Sequence, residues 1–540
     1  MQLLTFIGFT ALVAIIAYLK TRNTDESSSD GYFLGGRSLT GVVIAGSLLL
    51  TNLSTEQIVG LNGAAFKEGI LVMAWETLAA IAMVITAVFL LPRYLKGGIT
   101  TVPQFLENRY DKMTKTIASG LFLTGYAVIL LPIVLYSGAL AINSMFSVPE
   151  MLGVSKNTAL WITVWGIGII GSIYAVFGGL KAVAVSDLIN AIGLLIGGLM
   201  IPFFGLMAIG DGNISEGIST LINTNPEKFN SIGTEDSSIP FATIFTGMML
   251  VQLFYWGTNQ AIIQRALGAK NLKEGQKGLI LASFIKILGP LIVVLPGIIA
   301  FHMFGDSLTN QDEAYPMLVT KVLPSYLVGF FAAVLFGAIL SSFNSALNSS
   351  VTLFGIDIYQ SYIKKDATEK QVVWAGKKFG IVLAIISMFI APLLIYASDG
   401  LFGYLQEANG IYSIPILTII VVGYLTKHVP AIGAKVGVIS GSVLYIISQF
   451  IIKPTFNIVE MVDGVETVTG NTYPHFLNVM AILFVLNIII MLIIGKLQPR
   501  AKAYELTYTN QVDIKPWKYL KITGIIICII VVGIYIYFAK

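Results

Sequence analysis

The chain alternates between long apolar runs and short polar connections, and this alternation predicts its architecture. The apolar runs are about 17–28 residues long, enough for a helix rising about 1.5 Å per residue to cross a hydrocarbon core of roughly 30 Å. We therefore predict an all-α polytopic membrane protein with fourteen transmembrane helices. The predicted ranges are 2–19, 39–64, 69–92, 117–141, 158–177, 186–208, 239–264, 277–302, 325–355, 379–397, 401–425, 431–451, 476–495 and 520–538.

Two of the predicted spans are interrupted by polar residues near their middle. The sequence TNLSTEQ (residues 51–57) interrupts the second span, and a polar run from Gln252 to Gln260 interrupts the seventh. Five spans separate their starts, and a repeat with an odd number of spans reverses its orientation in the membrane. Spans two to six and seven to eleven are therefore candidates for an inverted repeat whose first helices are both broken, the pattern of a secondary transporter with a midplane site.

Basic residues are concentrated in every second loop along the chain. Most of the 33 Lys and Arg residues fall in alternate loops, beginning with Lys20 and Arg22 after the first span and including Arg265 after the seventh. Because cytoplasmic loops are rich in Lys and Arg, this distribution predicts that both termini lie outside the cytoplasm. It also favours a retained first span over a secretory signal, since no basic stretch precedes that span.

Composition excludes several classes of protein. Hydrophobic residues make up 56% and charged residues 11% of the chain, against roughly 25% charged in soluble domains. The single cysteine, Cys528, cannot form a disulfide framework, and no Cys/His spacing indicates a metal centre. We find no phosphate-binding loop and no nucleophile–base set, so we expect an ion gradient as the energy source and no enzymatic activity. The expected partners are the lipid bilayer, the driving ion and a small solute, with no nucleic acid.

Polar side chains at membrane depth are the candidate site residues. Uncompensated polar groups in hydrocarbon cost several kcal/mol, so clusters of them mark either functional sites or hydrogen bonds between helices. Packing remains an alternative for isolated Ser and Thr residues, whereas a cluster of amides and carboxylates favours a site. The candidates are Asn52, Glu56 and Gln57 in span two, Trp75 and Glu76 in span three, Gln252, Tyr255 and Trp256 in span seven, and Gln406 at the start of span eleven.

Two charged residues each permit two interpretations. Lys286 lies nine residues into span eight, so its ammonium either extends to the cytoplasmic interface or faces a hydrated cavity. Asp187 lies at the predicted start of span six, where it either stabilises a helix N-terminus or adjoins a cation exit route.

The ligand preference of sodium indicates where a driving sodium ion would bind. Sodium is a hard cation that takes oxygen ligands, which an unwound helix and a neighbouring hydroxyl both offer. The adjacent Ser341 and Ser342 in span nine, together with the broken backbone around Leu50 and Leu53, can supply such a set.

Several motifs together resemble the sodium:solute symporter family, in particular its sodium/glucose and sodium/galactose branch. They are GYFLGGRSL (31–39), TNLSTEQIVG (51–60), YAVFGGLKAVAVSD (174–187), YWGTNQAIIQRALGAKNLKEGQKG (255–278), DEAYP (312–316) and LSSFNSALNSSVTLFGIDIY (340–359). The resemblance implies a leucine-transporter-like core of five plus five inverted helices. One extra helix precedes this core and three follow it, with domain ranges 1–38, 39–238, 239–425 and 426–540.

The resemblance also implies site residues. The cation site would comprise the carbonyls of Leu50, Leu53 and Ala338 with the hydroxyls of Ser341 and Ser342, and Asp187 would lie on the inward sodium path. The solute would contact Asn52, Gln57, Glu76, Gln252, Lys286 and Gln406, with Tyr255 stacked on its ring and Trp256 beside it. The gate would consist of Leu61, Trp75, Phe402 and Tyr255.

These features favour a sodium symporter of a small neutral solute, a hexose or a polyol, working by alternating access. Ala79, Gln252, Trp75 and Leu61 depart from the sodium/galactose pattern, so the sugar itself is left open. One alternative keeps the fold but carries an anionic solute such as a sialic or carboxylic acid, with Lys286 as its charge partner. The other is a passive sodium channel or a solute sensor.

Overall fold

A computed structural model describes residues 2–21, 28–308, 310–396, 400–462 and 465–539. Arg22, one of the basic residues used to predict orientation, lies outside these ranges. The first part of the chain forms α1 (Gln2–Thr21), α2 (Ser29–Leu34), α3 (Gly41–Asn52), α4 (Thr55–Glu68), α5 (Ala74–Ile85), α6 (Leu91–Lys96), α7 (Val102–Arg109), α8 (Lys112–Gly125), α9 (Leu131–Phe146), α10 (Val148–Leu152), α11 (Lys156–Ile209) and α12 (Ile214–Thr224).

The second part of the chain is also helical. It forms α13 (Gly247–Gly257), α14 (Gln260–Leu267), α15 (Leu272–Ile287), α16 (Gly289–Val293), α17 (Leu295–Phe304), α18 (Ala314–Val322), α19 (Ser325–Thr352), α20 (Glu369–Ile390), α21 (Leu401–Leu425), α22 (Ala431–Ile446), α23 (Phe476–Leu497) and α24 (Leu520–Phe538). Wider π-helical turns continue four of the helices, at Thr86–Leu90, Tyr126–Leu130, Leu353–Ile363 and Ile447–Ile452. Short 3-10 turns occupy Gly35–Arg37, Gly69–Met73, Pro226–Phe229, Phe241–Phe245, Gly305–Ser307, Gln311–Glu313, Ala391–Tyr396 and Lys453–Phe456.

The helices confirm a polytopic membrane protein. Among the described residues, ten helices are long and apolar enough to span a membrane, or eleven if the bent pair Leu272–Ile287 and Gly289–Phe304 is one span. Every predicted range overlaps a helix, but the first, second and seventh are short or interrupted and do not qualify alone. The count of fourteen and the external termini stay predictions.

Two details differ from the sequence-based expectations. The eighth span is not one continuous helix, because it bends by 50° between Ile287 and Gly289. Pro290 and Pro296 follow this bend, and proline removes a helix hydrogen bond and clashes with the preceding turn. The loop after span twelve contains an antiparallel hairpin of β1 (Asn457–Val462) and β2 (Val465–Asn471), which a purely helical prediction missed.

The break in the second span lies where the polar run predicts it. Helix α3 ends at Asn52, and α4 begins at Thr55 after two non-helical residues. The last carbonyls of a helix have no partner within that helix, so this break presents backbone oxygens inside the bundle. The Ser54 hydroxyl donates to the Glu56 carboxylate, which also lies in the first turn of α4, where a negative charge is favourable. Glu56 therefore contacts the residue that precedes α4 at the break.

The seventh span is broken in a corresponding place. Helix α13 ends at Gly257, and α14 begins at Gln260. The Asn259 side chain accepts a hydrogen bond of 3.0 Å from the Ala261 backbone N–H and one of 2.6 Å from the Tyr126 hydroxyl. This cap stabilises the start of α14, so that the second half of the span is a separate short helix.

Hydrogen bonds join this short helix α14 to the ninth span, α19. The Gln264 amide donates to the Thr352 hydroxyl at 3.0 Å and accepts from the Ser349 hydroxyl at 2.7 Å. Both contacts are buried, so they hold α14 against α19.

Candidate functional site

Five of the predicted solute residues and the predicted gate residue Trp75 line a small cavity between the broken helices. The cavity is lined by Asn52, Gln57, Trp75, Val251, Gln252, Tyr255 and Gln406. Its volume of about 20 Å³ has room for about one water molecule. The described lining therefore consists of four carboxamides, two aromatic rings and one aliphatic side chain, with no charged group among them.

Two of the carboxamides have unused hydrogen-bonding capacity. The side-chain oxygens of Asn52 and Gln57 are buried and have no partner in the described part of the chain. Gln252 differs, because its amide donates to the Trp75 carbonyl at 2.9 Å and its oxygen accepts from the Trp256 indole at 3.2 Å. A buried amide oxygen without a donor is costly, so the Asn52 and Gln57 oxygens are prepared to accept hydrogen bonds from a ligand.

The two predicted charged solute residues form an ion pair. The Lys286 ammonium lies 2.5 Å from both carboxylate oxygens of Glu76, and both side chains are 1% exposed. The interpretation in which Lys286 extends to the cytoplasmic interface is therefore wrong. Lys286 also lies 5.8 Å from the centre of the Trp256 ring, and Trp256 connects the pair to Gln252 at the cavity. The pair lies beside the cavity and carries no net charge.

Two aromatic residues of the predicted gate lie together at one side of the cavity. The rings of Trp75 and Phe402 meet edge to face, with centroids 5.1 Å apart. Phe402 is held in place at the start of α21, where the Leu401 N–H donates to the Asp312 carboxylate at 3.2 Å. Leu61 is fully buried on α4 and does not line the cavity.

Two of the predicted cation ligands, Ser341 and Ser342, contact Thr51 at the end of α3. The Ser342 hydroxyl donates to the Thr51 carbonyl at 2.7 Å, and the hydroxyls of Thr51 and Ser341 are 3.4 Å apart. Leu50 and Leu53 flank Thr51 in the chain, and Ala338 lies one helical turn before Ser342. These three residues are buried, and the contact between Ser342 and Thr51 joins a hydroxyl to a carbonyl oxygen next to the break in the second span.

Asp187 is also part of this region. It is 1% exposed and accepts a hydrogen bond of 2.6 Å from the Ser47 hydroxyl of α3. The interpretation of Asp187 as a charge at a helix start is wrong, because the helix resumes at Gly179, two turns earlier.

A model of the sodium:solute symporter family matches residues 32–441. The chain belongs to the sodium:solute symporter family.

Relatives within this symporter family cover most of the chain. The uncharacterized symporter YidK of Escherichia coli (strain K12) is 48% identical over 99% of this chain and 90% of its own length. The sodium/glucose cotransporter of Vibrio parahaemolyticus is 33% identical over 81% and 83%. Sodium/myo-inositol cotransporter 2 of Homo sapiens is 29% identical over 80% and 67%.

Solved symporter structures share the fold. A Na⁺-coupled sialic acid symporter in a substrate-bound outward-open state has a TM-score of 0.76 and 21% identity, covering 93% of this chain and 98% of its own. The nucleobase-cation-symport-1 family transporter Mhp1, in a closed conformation with bromovinylhydantoin bound, has a TM-score of 0.55 and 15% identity, covering 86% and 94%. The chain is therefore a helical membrane protein with a leucine-transporter-like fold.

Sequence reasoning missed one residue beside the cation ligands. Arg265 was counted as a cytoplasmic loop residue, but it is fully buried on α14 and hydrogen-bonded to Ser47 and Ser345. The error has a simple cause, since the predicted seventh span ended at residue 264, whereas α14 continues to Leu267. The signal that could have found it is its position inside the polar motif that begins at Tyr255.

Proposed function

We propose that the protein is a sodium-coupled symporter of a small neutral solute with several hydroxyl groups, a hexose or a polyol of similar size. The uncharged cavity, with its two unpartnered amide oxygens, is the observation that carries this proposal. A hydroxyl group both donates and accepts hydrogen bonds, so carboxamides of Asn52, Gln57 and Gln406 complement it. The aromatic face of Tyr255 offers an apolar surface for the sugar ring.

Alternating access explains the small size of the cavity. A volume of about 20 Å³ is far below the roughly 300 Å³ at which ligand pockets begin. Loading therefore requires the contact between Trp75 and Phe402 to open, and release requires α14 to move away from α19. In this proposal, residues 39–238 and 239–425 are the inverted repeats that carry these movements, flanked by 1–38 and 426–540.

Sodium is proposed to bind at the carbonyls of Leu50, Leu53 and Ala338 with the hydroxyls of Ser341 and Ser342. The same break presents these carbonyls on one side and Asn52 on the other, so a cation there stabilises the backbone that positions a solute ligand. By linkage, sodium then raises the affinity for solute, and solute raises the affinity for sodium by the same factor. Asp187 would adjoin the route by which sodium leaves.

An anionic solute fits these side chains less well. Lys286 is already neutralised by Glu76 at 2.5 Å, and the cavity lining offers no other cation. A passive channel is also disfavoured, because the aromatic gate lies above the cavity and the Gln264 contacts lie below it.

A ligand screen tests the proposed function directly. The unfolding temperature of the purified protein should rise with galactose, glucose or myo-inositol in sodium chloride and remain unchanged in choline chloride, because ligand binding stabilises the folded state. Uptake of the stabilising solute into proteoliposomes should then require an inward sodium gradient. Stabilisation by sialic acid alone would contradict a neutral solute, and uptake that is indifferent to sodium would contradict coupling.

Substitution of a cation ligand gives a second test. Ser342→Ala should raise the sodium concentration for half-maximal uptake roughly tenfold, since one lost polar contact in a buried site costs about 1–2 kcal/mol. Ser350→Ala is the matched control, because the Ser350 hydroxyl donates to the Ala346 carbonyl of its own helix at 2.8 Å. If the two variants need the same sodium concentration for half-maximal uptake, Ser342 is not a sodium ligand.

A further inference from the structure

Arg265 is a fully buried cation for which the proposed transport mechanism gives no role. It is 0% exposed and lies on α14, the cytoplasmic half of the broken seventh span. Its guanidinium donates to the hydroxyls of Ser47 and Ser345 and to the Ala261 carbonyl. No carboxylate in the described part of the chain lies within 4 Å of it. A buried charge of this kind requires a balancing charge nearby.

The first of two hydroxyl paths leads to that charge. The Arg265 Nε–H donates to Ser47 Oγ at 3.2 Å, and the Ser47 hydroxyl donates to Asp187 Oδ2 at 2.6 Å. One serine hydroxyl therefore separates the guanidinium from the carboxylate. Each of the two charged groups lies within the electrostatic field of the other.

The second path leads to a proposed sodium ligand. Ser345 receives a hydrogen bond from Arg265, and its hydroxyl lies 3.0 Å from the Thr51 hydroxyl. Thr51 in turn lies 3.4 Å from Ser341, and Ser341 lines the same cavity as Asp187. Arginine only donates hydrogen bonds, so both paths begin at the guanidinium, and the second ends at Ser341 in the cavity that Asp187 also lines.

We propose that Arg265 is a positioning residue that balances the charge of Asp187 and thereby sets how strongly sodium binds beside it. This inference rests on the proposed sodium coupling. A sodium ion at Ser341 and the end of α3 experiences the attraction of Asp187 and the repulsion of Arg265 together. The two charges therefore oppose each other, and the affinity for sodium reflects their balance.

The location of Arg265 on α14 links the proposed cation site to the movement of that helix. Arg265 belongs to α14, whereas its hydroxyl partners belong to α3 and α19, which carry the proposed cation ligands. A change in the field at the cation site therefore acts on the helix that closes the cytoplasmic side. Sodium binding and the cytoplasmic gate are coupled through one side chain.

Sodium itself is the probe for this proposal, so the solute need not be known. The unfolding temperature of the purified full chain is measured as sodium chloride replaces choline chloride at constant ionic strength, which yields a half-saturating sodium concentration for each variant. Arg265→Gln removes the repulsive charge and should lower that concentration roughly tenfold, the usual size of coupling between two sites. Asp187→Asn should raise it by a similar factor.

The double variant is the decisive measurement. If the two charges act on the cation in opposite directions, Arg265→Gln in the Asp187→Asn background should return the half-saturating concentration to within about threefold of the unsubstituted protein, because the lost attraction and the lost repulsion offset each other. Arg265→Lys keeps the positive charge and should stay near the unsubstituted value. Arg109→Gln is the matched control, since Arg109 is equally buried but donates to the carbonyls of Gly423, Thr426 and Val429.

Each contrary outcome has a distinct meaning. Absence of sodium-specific stabilisation in the unsubstituted protein would overturn the proposed function and this inference together. A normal sodium response there, together with a double variant that keeps the raised half-saturating concentration of Asp187→Asn, would overturn the role of Arg265 alone. The same conclusion follows if Arg265→Lys or Arg109→Gln shifts the sodium response as much as Arg265→Gln does.

Discussion

Replacing Lys286 with methionine is expected to destabilise the protein by about 3–5 kcal/mol, the cost of leaving one member of a buried ion pair without its partner. The structure places the Glu76 carboxylate 2.5 Å from Lys286, with both side chains 1% exposed, so water cannot compensate the remaining charge. Glu76→Gln should have a comparable effect. The double variant should recover most of the loss, because it leaves no isolated charge, and unfolding of all three variants in detergent measures this pattern.

A second ion pair provides the control for this prediction. Lys435 and Asp111 lie 2.8 Å apart but are 27% and 35% exposed, and pairs open to water contribute only about 0–1 kcal/mol. Lys435→Met should therefore leave the unfolding midpoint almost unchanged. If Lys286→Met is equally harmless, or if the double variant is as unstable as the single ones, the two charges do not stabilise each other.

Replacing Gln57 with leucine is expected to reduce solute binding by roughly 10- to 100-fold while leaving the fold intact, because a lost hydrogen bond in a buried site costs about 1–3 kcal/mol. The Gln57 oxygen has no partner in the described part of the chain, so this substitution breaks no internal hydrogen bond of that oxygen. The KM for uptake of the transported sugar, measured at saturating sodium, reports the effect. The unfolding temperature without solute should change little.

Gln449 provides the control for this substitution. It is 2% exposed, and its side-chain oxygen also lacks a partner among the described residues, but it lies outside the cavity lining. Gln449→Leu should leave the KM unchanged. If both substitutions raise the KM alike, the effect comes from general loss of buried amides, and Gln57 is not a solute ligand.

The positions of the breaks could be predicted because local chemistry determines them. Polar residues such as Asn52 and Gln57 are unfavourable in a continuous apolar helix, and the polar run from Gln252 to Gln260 has the same effect in span seven. The structure ends α3 at Asn52 and α13 at Gly257. Membership in the symporter family was likewise readable from six motifs, two of which contain the breaks themselves.

The pairing of charges could not be predicted in the same way. Glu76 and Lys286 lie 210 residues apart in the chain, and nothing local indicates that they meet. Arg265 was misplaced for a related reason, because periodicity and loop charge locate a helix end only to within several residues. Its burial depends on how α14 packs against α3 and α19.

By itself, the amino-acid sequence determined the class of protein, the approximate spans, the two broken helices and the residue types of the candidate site. These features depend on hydrophobicity and on local backbone preferences, which act over a few neighbouring residues. Only the tertiary structure decided which polar groups are satisfied, which charges balance each other and which oxygens still face a cavity. Those properties depend on distances between distant segments, and in a low-dielectric interior such distances determine the energy of every buried charge.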